Sequence, residues 1–88
     1  MALFGLVPTF PTMKAADFVR LLGRAPLHYV IDRQKGSHRT LKAPGRPNLL
    51  FSYHNSATMP SGVVRNYLVK IIGLGEAEAL DLIGRKKG

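Results

Sequence analysis

The first regular pattern of apolar positions begins at Lys14, in the stretch KAADFVRLLGRA. Apolar residues recur there at the spacing that places side chains on one face of a helix; they are Ala15, Phe18, Val19 and Leu22. Gly23 suits the end of this helix, and Pro26 prevents its continuation because proline lacks the backbone N–H that a helix needs. The pattern therefore predicts a first helix that starts at Lys14 and stops at Gly23.

The next part of the chain consists of short stretches that are rich in aromatic and β-branched residues or that alternate between two faces, patterns typical of β-strands. Three such stretches follow in order: LHYVIDRQ (27–34), SHRTLK (37–42) and NLLFSYHN (48–55). Lys35-Gly36 supplies the first turn, since glycine adopts a positive φ without steric cost, and APGRPN forms the second loop. In the third strand Leu49, Phe51 and Tyr53 share one face, whereas Leu50, Ser52 and His54 share the other. Together these stretches predict a three-stranded antiparallel sheet.

Helical spacing returns after Pro60. Ser61 is the expected N-cap of a second helix, whose apolar side consists of Val64, Leu68, Ile71 and Ile72, and Gly73 ends it. The stretch GEAEALDLIG then predicts a short final helix with acidic residues in its first turn. The order α-β-β-β-α plus a terminal helix predicts an α+β fold with the helices on one face of the sheet, which leaves the other face open.

The length of 88 residues fits one domain, which we place at residues 13–84. Residues 1–12 form an apolar arm, which the prolines keep extended; it either lies across the domain or docks on a partner. Met13 is an alternative start, and residues 85–88 form a basic tail. The arm lacks the basic start of a targeting segment and is too short to span a bilayer, so we expect no membrane association.

The composition limits the kinds of functional site that the chain can form. The chain has no cysteine, which excludes disulfides and thiolate metal sites and fits a reducing compartment such as the cytoplasm. Its three histidines lack the short spacing of a zinc site, so no metal is expected. The net charge is +8, and the stretch 33–75 contains no acidic residue. Such a stretch indicates a surface for polyphosphate or an acidic partner, or else a solvated basic face without a ligand.

The second predicted strand places a histidine on the open basic face. Alternation puts His38, Thr40 and Lys42 on one side and Arg39 and Leu41 on the other, and Leu41 is the inward residue. Neighbouring cations disfavour a charged imidazolium, so we expect a neutral ring at about pH 7, as a general base requires. RNA offers that base a 2′-hydroxyl proton, while lysine and arginine hold the phosphate. The alternative is a hairpin histidine that only hydrogen-bonds the backbone.

Two stretches resemble a known family. GSHRTL (36–41), preceded by DRQK, resembles the Gly-Ser-His signature of HicA-type toxins, which are small bacterial proteins that cleave mRNA. MPSGVVRNYLVKIIGL (59–74) resembles the helix of that family, and His54 lies eight residues before Gly62, the spacing of its third-strand histidine. The resemblance covers about residues 13–83 and implies a fold like that of double-stranded-RNA-binding domains.

The resemblance also implies an activity and a partner. It implies a metal-independent mRNA endoribonuclease without a cofactor, in which His38 is the catalytic residue and Gly36 and Ser37 build its turn. A HicB-type antitoxin is implied as partner, and complementarity predicts an acidic surface on it; a homo-oligomer and a toxin–antitoxin hetero-oligomer both remain open.

Three positions depart from the family pattern. Leu41 stands where an aromatic residue is usual, Ser52 replaces a proline, and Val63 replaces a threonine. None of these departures removes the proposed base.

Further residues are candidates for contact with RNA. The predicted contacts are Arg33, Lys35, Gly36, Ser37, Arg39, Lys42 and His54. His54 is a second acid/base group, a substrate contact, or a strand-end histidine bonded to the following loop. Arg65 and Lys70 contact phosphate or antitoxin, or form a solvated face, whereas Tyr53 and Tyr67 stack on bases or pack at the core. The competing functions are a non-catalytic RNA-binding module and a protein-interaction module on the same fold.

Overall fold

Five strands and three helices follow one another in the computed structural model, which describes residues 9–84. The strands are β1 (Met13–Lys14), β2 (Val30–Lys35), β3 (His38–Lys42), β4 (Leu49–Phe51) and β5 (Thr58–Met59). The helices are α1 (Ala15–Gly23), α2 (Ser61–Arg65), which continues as a π-helical segment (Asn66–Ile71), and α3 (Glu76–Gly84). The chain is thus a small α+β protein, as the hydrophobic pattern predicts.

The main sheet is antiparallel and has the order β2-β3-β4, so that β3 is its middle strand. A two-residue turn of Gly36 and Ser37 joins β2 to β3, and Lys35 pairs with His38 across it. The register of β2 shifts between Ile31 and Arg33, which is the mark of a β-bulge in that strand. The three-stranded antiparallel sheet predicted from alternation is confirmed.

The outer strands are shorter than the alternating stretches. β2 begins at Val30 because the chain still turns at His28, which has a φ of 57° and donates its N–H to the Arg24 carbonyl at 3.0 Å. β4 ends at Phe51, and the segment beyond it turns away towards α1. His54 therefore lies in a turn rather than in a strand, with its carbonyl accepting from the N–H of Ala57 at 2.9 Å.

A second ladder, absent from the sequence prediction, ties the start of the domain to its middle. β1 pairs antiparallel with β5, with Met13 opposite Met59. Next to it, the first two N–H groups of α1 donate to carbonyls of the loop before β5: Ala15 to Ala57 at 2.8 Å and Ala16 to Asn55 at 3.0 Å. These bonds satisfy helix N–H groups that have no partner within their own helix, so residues distant in sequence cap α1.

The core lies between the helices and one face of the sheet. Its largest fully buried side chains are Phe18, Phe51, Leu21, Leu22, Leu27, Leu41, Leu49, Met59, Leu68 and Val64. Ala79 and Leu82 of α3 belong to the same cluster. β3 and β4 contribute alternate residues to it, and the residues between them stay on the other face. The helices therefore cover one face of the sheet, and the other face is open.

The second helix differs from its prediction in two respects. Pro60 occupies the N-cap position, and Ser61 is the first helical residue with no side-chain cap bond, so the predicted N-cap is wrong. The segment after Arg65 is π-helical, with the N–H of Ile72 donating to the Tyr67 carbonyl at 2.9 Å. This wider turn leaves Ile71 exposed, whereas the helical pattern placed it on the apolar side. Gly73 ends the helix as predicted, with a φ of 91°.

The ends of the chain lie largely outside this description. Of the predicted arm, Thr9 to Thr12 are described and are not helical, and Phe10 packs against the core. The rest of the arm and the basic tail at 85–88 lie outside the described residues. Between residues 9 and 84, none of the helices combines the length and the apolar run that a bilayer crossing requires.

Candidate functional site

The open face of the sheet carries most of the side chains that the sequence singles out. Cross-strand partners point to the same side of a sheet, and the pairs Lys35–His38, Arg33–Thr40 and Thr40–Leu50 lie on the side away from the core. We call this surface the open face and define it by Arg33, Lys35, His38, Thr40, Leu50 and Ser52. The predicted division of β3 is confirmed, because Arg39 and Leu41 are buried and His38 and Lys42 are exposed.

His38 owes its position to the turn before it. Gly36 has a φ of 63°, a conformation that residues with a Cβ adopt only at a steric cost. This turn brings the chain back so that His38, the first residue of β3, lies directly opposite Lys35. The imidazole is exposed, and its side chain makes no hydrogen bond or ion pair within residues 9–84. Its ring nitrogens are therefore free to meet a ligand from solvent.

Replacing Gly36 with alanine tests this turn. A Cβ in the left-handed region costs about 1–2 kcal/mol, so Gly36→Ala is expected to lower the free energy of unfolding by about that amount. Gly62→Ala is the matched control, since Gly62 lies in α2 with nothing within 4 Å of an added Cβ. Its expected effect is a gain of about 0.4–1 kcal/mol. Urea unfolding measures both; equal effects from the two substitutions would contradict the role of the Gly36 conformation.

A concavity of about 380 Å³ opens on this face. We call it the first concavity; its lining residues are Arg33, Lys35, His38, Arg39, Thr40, Leu50, Phe51 and Ser52. Its volume lies within the range of small-ligand sites. The lining combines an imidazole, two surface cations, two hydroxyls and the apolar Leu50, and it contains no carboxylate. Such a surface suits an anionic ligand that also has an apolar part, such as a nucleotide.

The cations near His38 differ in their availability. Arg33 and Lys35 make no ion pair with any residue between 9 and 84. Lys42 instead lies 3.4 Å from a carboxylate oxygen of Asp32, at the bulge of β2, and it does not line the first concavity. The structure thus brings Arg33 and Lys35 together with His38 but leaves Lys42, also a predicted RNA contact, outside the group.

Arg39 differs from the other predicted RNA contacts because it points into the protein. Only 7% of its surface is exposed. Its Nη2 donates to the carbonyl oxygen of Tyr53 at 2.8 Å, and its guanidinium lies 5.2 Å from the centre of the Phe51 ring. Its Nε is buried without a hydrogen-bond partner. A ligand would therefore meet Arg39 at the floor of a concavity and not on the open surface.

His54 lies apart from His38. It lines another concavity, of about 240 Å³, whose lining residues are Gln34, Gly36, Ser37, Arg39, His54 and Asn55. We call it the second concavity. Gln34 pairs with Arg39, and adjacent cross-strand pairs point to opposite sides of a sheet. The Gln34 side chain therefore lies on the side of the hairpin opposite to Lys35 and His38. The structure thus separates the two histidines, and Arg39 lines both concavities.

The remaining candidates have structural partners. Arg65 donates from Nε to a carboxylate oxygen of Glu76 at 2.9 Å, which joins the second helix to α3, while Lys70 is exposed. The ring of Tyr67 lies 5.6 Å from that of Phe18, and its hydroxyl donates to the Leu50 carbonyl on the edge of β4. Burial, and secondarily the neighbouring Tyr53, raises the pKa of the Tyr67 hydroxyl above its ordinary value, which favours the protonated form that donates this hydrogen bond.

The sequence analysis gave no functional role to six residues that line the concavities. They are Thr40, Leu50, Phe51 and Ser52 in the first and Gln34 and Asn55 in the second. The signal for Thr40 and Leu50 was the two-residue alternation, which had already placed them on the open face. Within the described range, no three histidine, aspartate or glutamate side chains cluster closely enough to hold a metal ion.

Comparison of the chain with protein-family models, with curated proteins and with solved structures gives no match in any of the three.

Proposed function

We propose that this protein is a metal-independent endoribonuclease in which His38 is the general base. The observation that carries the proposal is the placement of His38: it is exposed in the first concavity, directly opposite Lys35, with Arg33 beside it. Both cations are free of carboxylate partners between residues 9 and 84. An unbonded imidazole among unpaired cations fits a substrate that has both a removable proton and a negative phosphate.

The reaction follows from the chemistry of RNA. A ring nitrogen of His38 removes the proton of a 2′-hydroxyl, and that oxygen attacks the adjacent phosphorus. The bond from phosphorus to the 5′-oxygen of the next nucleotide breaks, and this oxygen takes a proton from solvent. The products are a 2′,3′-cyclic phosphate and a free 5′-hydroxyl. No oxidant, reductant or metal enters this balance.

Arg33 and Lys35 support the same step electrostatically. Charge builds up on the non-bridging phosphate oxygens as the 2′-oxygen attacks, and cations fixed near those oxygens stabilise the transition state more than the ground state. Leu50 is 76% exposed next to this group, so a nucleobase placed against it would bury apolar surface. We assign Arg33 and Lys35 to the phosphate and Leu50 to a base.

The toxin role and the partner form part of the proposal. If the two-residue strands β1 and β5 are set aside, α1, the three strands of the main sheet and α2 follow in the order α-β-β-β-α. This order supports the fold like that of double-stranded-RNA-binding domains that the HicA-type resemblance implies. A HicB-type antitoxin that covers the open face would meet Arg33 and Lys35 with acidic side chains and Leu50 with apolar ones. Such complementarity also blocks the site, because RNA and antitoxin would compete for the same residues.

A protein-interaction module without catalysis is the second candidate function. The observation that favours it is the exposure of Val30 and Leu50, which are 63% and 76% exposed in strands of the main sheet. A contiguous patch of exposed apolar side chains marks a surface that another protein covers, and Val30 and Leu50 would both belong to such a patch. This function needs neither the imidazole of His38 nor the free cations beside it.

Cleavage in the presence of EDTA separates these functions. We expect the purified protein to cut single-stranded RNA in EDTA and to leave 2′,3′-cyclic phosphate and 5′-hydroxyl ends, which end-labelling and phosphatase treatment identify. A matched RNA with 2′-O-methyl groups should stay intact, because it lacks the proton that His38 removes. RNA binding without new ends would favour a non-catalytic RNA-binding module, and neither binding nor cleavage would favour the protein-interaction module.

A further inference from the structure

Arg39 is the one residue that lines both concavities on the two sides of the β2–β3 hairpin. Its side chain is more than nine-tenths buried, and its Nε is buried without a hydrogen-bond partner. Of its terminal nitrogens, Nη2 is bonded to the Tyr53 carbonyl, and no other atom of the guanidinium donates a hydrogen bond within residues 9–84. A buried cation with unused donors is costly unless a ligand or water completes its bonding.

The second concavity offers a phosphate the donors that it needs. His54, Ser37, Gln34 and Asn55 surround it with an imidazole, a hydroxyl and two amides, and Arg39 adds positive charge from within. Gln34 already donates to the Gly36 carbonyl at 3.1 Å, which leaves the other three side chains unbonded. No carboxylate lines this concavity, so nothing in its lining repels an anion.

The turn between the concavities is narrow enough for a single strand to pass over. Only Gly36 and Ser37 separate β2 from β3, and a Cβ added at Gly36 would meet nothing within 4 Å. A polynucleotide backbone can therefore approach the turn closely. Single-stranded RNA has the torsional freedom to bend there, whereas the two paired strands of a duplex do not.

We propose that the second concavity binds a phosphate of the same RNA strand that His38 cleaves, so that the strand bends around the hairpin turn. The inference rests on the proposed function and adds a substrate class to it: single-stranded RNA that extends for several nucleotides beyond the cleaved bond. His54 and Asn55 bind the flanking phosphate, and Arg39 links this subsite to the cleavage site. His54 is thus a binding residue and not a second acid/base group.

The test compares a short and a longer RNA that cannot be cleaved. The two probes are a 2′-O-methyl dinucleotide and a 2′-O-methyl oligonucleotide of about six nucleotides, a length within the usual range of single-strand sites. The intact protein should bind the longer probe at least tenfold more tightly than the dinucleotide, in fluorescence anisotropy or calorimetry. His54→Ala should remove about tenfold of the affinity for the longer probe, the loss expected for a charge-assisted hydrogen bond. Asn55→Ala should remove less.

His28→Asn is the matched control, because His28 is exposed and lines neither concavity, and asparagine tolerates its positive φ. It should bind both probes as the unmodified protein does. One outcome would refute the second subsite alone: the protein binds the dinucleotide and cleaves RNA in EDTA, but it binds the longer probe no more tightly than the dinucleotide. The proposed function would then stand. If neither probe binds and no RNA is cut, the proposed function fails and the subsite fails with it.

Discussion

Replacing His38 with alanine is expected to slow RNA cleavage by about 10²–10⁴-fold, the usual contribution of a positioned general base. The substitution removes the proton acceptor but leaves Arg33 and Lys35 in place, so RNA should still bind. The measurement is the initial rate of RNA cleavage in EDTA, with arrest of growth on induced expression as the readout in cells. The cleavage rate and the arrest of growth should fall together if cleavage is the toxic activity.

The fold should not change in this variant. The side chain of His38 is exposed and makes no hydrogen bond within residues 9–84, so the free energy of unfolding should stay within about 0.5 kcal/mol. The control is His28→Asn, which removes another exposed histidine outside both concavities. Undiminished cleavage by His38→Ala, or an equal loss in His28→Asn, would overturn the assignment of His38 as the base.

Replacing Phe51 with alanine is expected to destabilise the protein by about 3–5 kcal/mol, the usual cost of truncating a buried phenylalanine. Phe51 is almost fully buried, and its ring lies 6.0 Å from Phe18 and 5.8 Å from Tyr67. It also carries the guanidinium of Arg39 over its face. Since small domains are stable by about 5–15 kcal/mol, the loss amounts to a large part of the total. Denaturant unfolding followed by circular dichroism measures it.

The neighbouring residue provides the control. Leu50 precedes Phe51 on β4 but lies on the open face, where it is 76% exposed. Leu50→Ala should therefore change the free energy of unfolding by less than about 0.5 kcal/mol. If Leu50→Ala lowered the free energy of unfolding as much as Phe51→Ala does, the Leu50 side chain would have to be buried. That result would contradict the exposure of the open face.

The sheet was predictable because its signal is local. The two-residue alternation from His38 to Lys42 and from Leu49 to Phe51 gave the correct faces of both strands, and the glycine after Lys35 gave the hairpin. The helix α1 followed in the same way from its apolar spacing and a terminal glycine: its end at Gly23 is as predicted, and its start at Ala15 lies one residue after the predicted Lys14. Where burial follows directly from the order of residues, the sequence was sufficient.

Features that depend on distant parts of the chain were not predictable. β1 and β5 have two residues each, too few for any alternation to be visible. Loop carbonyls cap the N–H groups of Ala15 and Ala16. This interaction involves only the backbone, so it requires no particular side chain and cannot be predicted from residue types. The exposure of Ile71 arises from a π-helical turn, whereas a regular helix places that residue with the core.

The site was predictable in part for the same reason. The exposure of His38 beside Lys35 followed from the predicted hairpin. The ion pair between Lys42 and Asp32 depends on a β-bulge, which no residue pattern in the sequence predicts. Alternation placed Arg39 on the same side as the inward Leu41, but its bond to the Tyr53 carbonyl and its position over the Phe51 ring depend on packing between distant residues. The roles of these residues on RNA stay predictions.

The π-helical segment bears on how related sequences should be aligned with this one. Its hydrogen bonds span five residues instead of four, as between Ile72 and Tyr67, so the segment accommodates one residue more than a regular helix of equal length. A homologue with an uninterrupted α-helix would then be one residue shorter between Arg65 and Gly73. In an alignment that matches Val64 and Gly73, a gap of one residue between them would therefore indicate that the homologue has a regular α-helix here, with the rest of the fold unchanged.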